Sequence, residues 1–165
     1  MKAKSCCFTG HRKLPDGQRV AIMERTETAV KKLLSGGINR FLLGGAVGYD
    51  TEVARLLFCL KNVHRGIKVV LIYPFDNYTD RWNDAQKAEY AKLLPQYDDV
   101  IKASERSGRE AYLLRNRMLV DSSAVCIAYC HKQRSGTAYT VRYAKAQGMA
   151  VTNTAPGMAE DTLLP

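Results

Sequence analysis

Three short polar motifs in this chain each follow a short apolar run. The motifs are Thr-Gly-His-Arg at 9–12, Gly-Gly-Ala-Val-Gly-Tyr-Asp at 44–50 and Ser-Gly-Thr at 135–137. The runs before them, 6–8, 41–43 and 124–129, have the length of buried strands. If these strands are parallel neighbours, the motifs meet at the carboxyl edge of one sheet, where open α/β sheets bind ligands. Because glycine admits close backbone approach and helix starts offer free N–H groups, the pattern predicts a site for a small phosphorylated ligand.

Apolar runs and amphipathic segments alternate along the whole chain, which indicates a parallel sheet covered by helices. The pattern predicts strands over 6–8, 38–43, 67–73, 100–101, 124–129 and 149–152. It predicts helices over 16–35, 51–60, 79–94, 110–120 and from 135 to near 148. The expected fold is α/β and Rossmann-like, with three layers and a mainly parallel sheet of about five to six strands. With 165 residues and 46% hydrophobic composition, we expect one domain over 1–165, with a core at about 4–153 and a flexible tail over 155–165.

Apolar runs in this sequence are too short for a membrane helix or a signal-peptide core. We therefore expect a cytoplasmic protein with no membrane partner. Its five cysteines are an odd number, which favours reduced thiols. Cys126 and Cys130 would lie ~13 Å apart on one strand face, too far to share a metal ion. The expectation is no metal site and five buried cysteines acting as apolar fillers.

The formal net charge of +9 calls for an anionic partner. A phosphate pocket combined with solvated basic faces is the favoured explanation. A dedicated nucleic-acid site is the less favoured alternative, because the sequence shows neither aromatic-basic alternation nor a helix-turn-helix or zinc-finger spacing.

The glycine-rich turn resembles the dinucleotide fingerprint but differs from it in spacing. A phosphate-binding P-loop is excluded because no Gly-Lys-Ser/Thr follows. Gly44, Gly45 and Gly48 would form a backbone cradle, and Asp50 would accept a hydrogen bond from a ribose hydroxyl or a base. The alternative is that Asp50 only caps the following helix.

His11 and Arg12 follow Gly10 at a strand end, where a purely structural loop requires neither side chain. Arg12 is therefore a candidate phosphate ligand, since the planar guanidinium binds phosphate in a bidentate manner. The alternative is an exposed surface pair.

The backbone amides and hydroxyls of Ser135, Gly136 and Thr137 would hold a phosphate at a helix start, although this sequence is also an ordinary helix start. On the helix over 110–120, residues 115 and 118 share a face. Arg115 would therefore reach the rim of the site while Met118 packs inward.

Trp82 is the only tryptophan, and on the predicted helix over 79–94 it shares a stripe with Gln86 and Tyr90. This stripe is a candidate surface for base stacking. Core packing is the alternative, and it is at least as well supported.

Taken together, the motifs resemble the YpsA-like branch of the SLOG superfamily over roughly residues 4–153. The resemblance rests on 9–12, 44–50, Tyr-Pro-Phe at 73–75, Trp82 with Gln86 and Tyr90, 115–122, and Gly-Thr at 136–137 with Tyr-Ala at 143–144. It implies a Rossmann-like fold that binds nucleotides or their derivatives. The superfamily also contains DNA-processing DprA proteins and the LOG phosphoribohydrolases.

The loop at 131–140 departs from the LOG pattern Pro-Gly-Gly-x-Gly-Thr-x-x-Glu. Thr140 occupies the position of the LOG catalytic glutamate, and His-Lys-Gln-Arg at 131–134 replaces the Pro-Gly-Gly half. Without that carboxylate, glycosidic cleavage lacks its acid or base.

The leading hypothesis is therefore a binding protein with a sensor or regulatory role for an NAD-like, ADP-ribose-like or other phosphorylated nucleoside ligand. No cofactor is established and no catalytic residue is assigned. One alternative is a nucleotide hydrolase related to the LOG enzymes, with Asp50 or another acid as base. A second alternative is DprA-like nucleic-acid binding, and the superfamily also makes a homodimer plausible.

Overall fold

Strands and helices alternate in the computed structural model, which describes residues 1–157. The strands are β1 (Ser5–Gly10), β2 (Arg40–Leu43), β3 (Lys68–Tyr73), β4 (Asp99–Lys102), β5 (Val125–Tyr129) and β6 (Ala150–Asn153). The helices are α1 (Arg19–Ser35), α2 (Tyr49–Lys61), α3 (Asp84–Leu93), α4 (Arg109–Asp121) and α5 (Gly136–Ala146). All six predicted strands and all five predicted helices are present.

The six strands form one sheet in the order β4-β3-β2-β1-β5-β6, and every neighbouring pair is parallel. From β1 the chain adds β2, β3 and β4 on one side, and it then adds β5 and β6 on the other. The strand order therefore reverses between β1 and β5, the kind of position at which such sheets place ligands. The carboxyl ends of β2, β1 and β5 lie side by side there.

Two separate apolar layers cover the sheet, which confirms the three-layer α/β fold. Cys6 and Phe8 pack with residues of α1 and α2 on one face. Cys7 packs with α4 and α5 on the opposite face. This division follows from the period of two residues along a strand.

The cysteines were all expected to be buried, and for Cys59 that expectation is wrong. Cys6, Cys7, Cys126 and Cys130 are buried, whereas Cys59 is exposed. The reason is the helical period, since α2 turns other residues toward the sheet and Cys59 toward solvent. All five are free thiols.

The third helix begins later than predicted, at Asp84 rather than at residue 79. Asn83 forms a capping box with Gln86: the Gln86 amide donates to Asn83 Oδ1 at 2.8 Å, and the Asn83 amide donates to Gln86 Oε1 at 3.1 Å. Trp82 therefore precedes the helix, and the predicted helical stripe of Trp82, Gln86 and Tyr90 is wrong.

Residues 158–165, most of the predicted flexible tail, lie outside the described part of the chain. Ala155, the first residue of that tail, is buried, and its amide donates to Asn153 Oδ1 at 3.1 Å. Among residues 1–157, the structure has no helix of sufficient length and hydrophobicity to cross a membrane.

Gly10 is required where the end of β1 passes the first residue of α2. A Cβ atom at Gly10 would overlap the ring of Tyr49, which is fully buried and shares a 2.8 Å hydrogen bond with Thr26. We expect Gly10→Ala to lower the free energy of unfolding by about 1 to 3 kcal/mol. Gly17→Ala is the matched control, because no heavy atom lies within 4 Å of its added Cβ. Urea denaturation of the two variants checks this, and equal stabilities would contradict it.

Candidate functional site

A cleft of about 600 Å³ opens at the carboxyl ends of β1, β2 and β5. Its walls come from the loop after β1, the β2–α2 turn, α4 and the β5–α5 loop. Nine of the predicted site residues line it: Gly10, His11, Arg12, Gly44, Asp50, Arg115, Ser135, Gly136 and Thr137. The fold thus brings the three sequence motifs together.

The glycines of the β2–α2 turn leave room for neighbouring groups of the protein. Gly45 and Gly48 do not line the cleft and have positive φ angles of 68° and 82°. A Cβ at Gly48 would overlap the backbone of Arg12, and one at Gly44 would overlap the guanidinium of Arg115. The predicted backbone cradle is therefore occupied by protein groups at these two positions.

Trp82 does not line the cleft. Its ring centroid lies 5.5 Å from that of Tyr78 and 5.7 Å from that of Tyr90, both edge to face. Trp82 therefore packs within an aromatic cluster, which corresponds to the packing alternative.

His11 joins the end of β1 to both neighbouring loops. The backbone amide of His131 donates to His11 Nε2 at 3.0 Å, and the amide of Tyr49 donates to the His11 carbonyl at 3.2 Å. The side chain is 7% exposed. Burial, followed by the nearby His131 and Lys132, lowers the pKa of His11 to about 4. The ring is therefore neutral at pH 7 and carries its proton on Nδ1.

Asp50 is a buried carboxyl group, 6% exposed, in the first turn of α2. Its Oδ2 accepts from the Ala46 amide at 3.1 Å, so it closes the glycine turn, while Gly48 is the helix N-cap. Its Oδ1 has no partner among the described protein groups. Burial raises the pKa of Asp50 to about 6, and the charge of Arg115 opposes that rise. At pH 7 Asp50 is thus an ionised acceptor with one oxygen free.

A second and much smaller void also borders Asp50, on the side of Tyr90 and Tyr97. Its volume is about 10 Å³, near the lower limit for one water molecule. The free oxygen of Asp50 can therefore be satisfied by a water on this side or by a ligand in the main cleft.

Arg115 lies deeper than the rim position expected from the sequence. It is 7% exposed, and its Nη1 donates to the carbonyl of Gly44. Its Nε donates to Asn116 Oδ1 at 2.8 Å, and its guanidinium carbon lies 5.8 Å from the ring centre of Tyr112. Burial lowers the pKa of Arg115, and the charge of Asp50 opposes this. A fixed cation therefore lies beside the glycine turn.

The start of α5 supplies free backbone donors. Ser135 caps the helix, with its Oγ accepting from the Ala138 amide at 3.0 Å. The amides of Gly136 and Thr137 precede the first intrahelical bonds, so they remain available to an anion in the cleft. Thr140 is buried and donates to the Gly136 carbonyl at 3.0 Å. It therefore supplies no acidic group at the position of the LOG glutamate.

Positive charge dominates the cleft. Five cationic side chains line it, against the single carboxyl of Asp50: Arg12, Lys13, Arg115, Lys132 and Arg134. All except Arg115 are exposed. The described residues contain no group of three or more His, Cys, Asp or Glu side chains arranged to hold a metal ion. The arrangement favours an anionic ligand.

Sequence reasoning did not single out Asn153, which fixes the shape of the β5–α5 loop. Its side chain accepts from the Cys130 amide at 3.1 Å and donates to the Cys130 carbonyl at 2.8 Å. Tyr112 and Asn116 also line the cleft without having been singled out as ligand residues. Contacts between distant elements place these residues here, and of the three only Asn116 lies within one of the sequence motifs.

The fold and the cleft define a Rossmann-like α/β domain with a basic cleft at the reversal of strand order. The chain belongs to the YspA SLOG family, whose model matches residues 8–156. An uncharacterised SPbeta prophage-derived protein, YoqJ, of Bacillus subtilis is 30% identical, over 64% of this chain and 69% of its own length. A UPF0398 protein of Halalkalibacterium halodurans is 25% identical, over 75% of this chain and 67% of its own length.

Two solved structures of DNA processing protein A (DprA) share the fold. The one from Streptococcus pneumoniae has a TM-score of 0.65 and 19% identity over 97% of this chain. The one from Helicobacter pylori, described for its single-stranded DNA binding mode, has a TM-score of 0.62 and 16% identity over 90% of this chain. This chain spans 53% and 64% of those two chains.

The lowered pKa of His11 makes a prediction about stability against pH. The unfolded chain binds the proton near pH 6.5 and the folded protein near pH 4. Between these values the unfolded state binds more protons, so the free energy of unfolding falls as the pH drops. The loss reaches up to about 3 kcal/mol. His11→Gln keeps an acceptor for the His131 amide but does not titrate, so its stability should fall less over this range.

Urea denaturation at several pH values measures the difference between the two proteins. Asp50 contributes with the opposite sign between pH 3.8 and about 6, but it does so in both proteins and cancels in the comparison. His64→Gln, at an exposed loop position, is the control and should follow the wild type. Parallel curves for His11→Gln and wild type would show that His11 is not buried as a neutral ring.

Proposed function

We propose that this protein binds a phosphorylated nucleoside derivative in the basic cleft, of the size and type of ADP-ribose or NAD, and acts as a cytoplasmic sensor. The observation that carries the proposal is the joint presence of an excess of cations and one buried carboxylate with a free oxygen. A simple anion would satisfy the cations but would itself bring no donor to Asp50. A phosphorylated sugar supplies both the anion and hydroxyl donors.

The phosphate end of the ligand belongs at the β1 and β5 side of the cleft. The free amides of Gly136 and Thr137 point to this position, and the exposed cations Arg12 and Arg134 lie in the adjoining loops. A helix start combined with arginine side chains is a favourable phosphate site, because amide donors and bidentate guanidinium groups act on the same oxygens.

Binding is favoured over LOG-type hydrolysis. Thr140 hydrogen-bonds to its own helix, and it has no carboxylate to serve as acid or base on the ribosyl group. Asp50 is the only acid among the described residues that line the cleft, and a hydrolytic alternative would depend on it. Calorimetry with AMP, ADP-ribose, NAD and cyclic dinucleotides tests binding, and chromatography of the same mixtures tests turnover. A folded sample that binds none of them would refute the proposal.

Asp50→Asn should raise stability and weaken ligand binding. The raised pKa of Asp50 means that its ionisation costs the folded state up to about 3 kcal/mol, so the neutral variant should be more stable at pH 7. Loss of a charged acceptor should weaken ADP-ribose binding by about 1.5 to 3 kcal/mol, or roughly 10- to 150-fold. Asp99→Asn, at the opposite edge of the sheet, is the control.

The same pair of proteins makes a prediction about binding against pH. ADP-ribose suits this test because its bridging diphosphate keeps its charge between pH 5 and 8. Wild-type affinity should fall below pH 6 as Asp50 takes up a proton, and Asp50→Asn should show no such fall. Calorimetry over this range checks it, and a pH-independent wild type would remove Asp50 from ligand binding.

Single-stranded nucleic acid is a second candidate ligand. The specific support is the Helicobacter pylori DprA structure, together with the exposed cations Lys13, Lys132 and Arg134 around the cleft. Such binding should weaken steeply with salt, since each neutralised phosphate releases counterions. Fluorescence anisotropy with a labelled oligonucleotide at 50 and 200 mM salt tests this. Absence of binding at the lower salt excludes it.

A further inference from the structure

A group of partly exposed aromatic side chains lies next to the cleft, on the stretch from the end of β3 into α3 and on α4. Its members are Tyr73, Phe75, Trp82, Tyr90 and Tyr112. The hydrophobic core completely buries other aromatic rings, such as Phe8, Phe41, Tyr49 and Tyr129. The protein thus keeps part of its aromatic surface open to solvent beside a ligand-binding edge.

Phe75 and Tyr112 form a corner at the wall of the cleft. Their ring centroids lie 5.4 Å apart, and the ring planes meet at 83°. Tyr112 lines the cleft directly, and Phe75 packs against Tyr112 outside the set of residues that line the cleft. A flat aromatic ligand that stacks on one ring of such a pair meets the other ring edge to face, and both contacts are favourable.

Contacts of the buried Tyr78 support the corner between Phe75 and Tyr112. Tyr78 is buried, and its hydroxyl donates to the Gly45 carbonyl at 2.9 Å, which ties the aromatic segment to the glycine turn. The ring of Tyr78 contacts Phe75 at 6.4 Å and Trp82 at 5.5 Å. Tyr78 thus restrains Phe75 relative to the glycine turn, which reduces the side-chain entropy that ligand binding would cost.

The strand order places the corner at one end of a line of ligand-binding groups. The aromatic segment follows β3, Asp50 follows β2, Arg12 follows β1 and the α5 amides follow β5, and these strands are consecutive neighbours. Neighbouring strands are about 4.8 Å apart, so the acceptor at β2 and the amides at β5 are separated by about 10 Å. The groups of a nucleotide, base, sugar and phosphate, occur in the same order.

We propose that Phe75 and Tyr112 form the base-stacking subsite for this nucleoside derivative, so that its base lies on this corner. This inference rests on the proposed function for the sugar and phosphate positions. It adds the recognition of a planar base, which neither the cations nor Asp50 requires.

The test compares two probes that share a phosphate and a ribose: AMP, which has a base, and ribose 5-phosphate, which has none. Wild type should bind AMP more tightly. Tyr112→Leu should lower AMP affinity by about 5- to 150-fold, the range for loss of one base stack, and leave ribose 5-phosphate affinity within twofold. Tyr112→Phe should retain AMP binding. Tyr143→Leu, a half-buried tyrosine of α5 outside the cleft, is the matched control.

The other possible outcomes would contradict the base subsite, the direct role of Tyr112 or the proposed function. Equal wild-type affinity for the two probes, or an unchanged AMP affinity in Tyr112→Leu, would remove the base subsite and leave the phosphate site intact. A parallel loss of both probes in Tyr112→Leu would show that Tyr112 acts through Arg115 and not on a base. If neither probe binds to the folded wild type, this inference fails, and the proposed function fails with it only if ADP-ribose, NAD and the cyclic dinucleotides also do not bind.

Discussion

The geometry of the site depends on His11, a residue with a neutral ring that connects the end of β1 to the β5–α5 loop and to the start of α2. Its Nε2 accepts from the amide of His131 after β5, and its carbonyl accepts from the amide of Tyr49 at the start of α2. A protonated imidazole has no lone pair on Nε2, so the first of these bonds exists only for the neutral ring. The placement of Arg12, which follows directly in the chain, depends on the same ring. The position of the cations is thus linked to the burial of one uncharged base.

The glycine motifs act in an indirect way. The usual explanation for glycine at a strand end is that a ligand must come close to the backbone. Here the space beside Gly44 is occupied by the guanidinium of Arg115, and the space beside Gly48 by the backbone of Arg12. The glycines let two cationic residues come close to the β2–α2 turn. A ligand would then meet the charges of these residues more than the bare backbone of the turn.

The fold could be predicted from the sequence because each strand and helix has its own local signal. The β-branched run at 67–73 and the glycines at 36–37 mark boundaries without reference to the rest of the chain. The start of α3 differs from the prediction because a capping box between Asn83 and Gln86 sets the beginning of the helix at Asp84. The burial of Arg115 and the corner between Phe75 and Tyr112 both depend on contacts across distant segments. Periodicity along one helix does not contain that information.

The balance of charge in the cleft connects ligand binding with the stability of the fold. Five cations lie around one carboxyl group, yet burial still keeps the pKa of Asp50 above its ordinary value. The attraction of Arg115 therefore does not fully compensate the loss of hydration at Asp50. A ligand that brings negative charge to the cations and a hydroxyl donor to Asp50 would neutralise the clustered positive charge. On binding it would also compensate the lost hydration of the Asp50 carboxylate. Since such a ligand binds only the folded state, it would stabilise that state by about 2.7 kcal/mol at a hundred times its dissociation constant. Under the proposed function, the clustered cations and the buried Asp50 would thus favour a ligand with both a phosphate and a sugar over a ligand with only one of them.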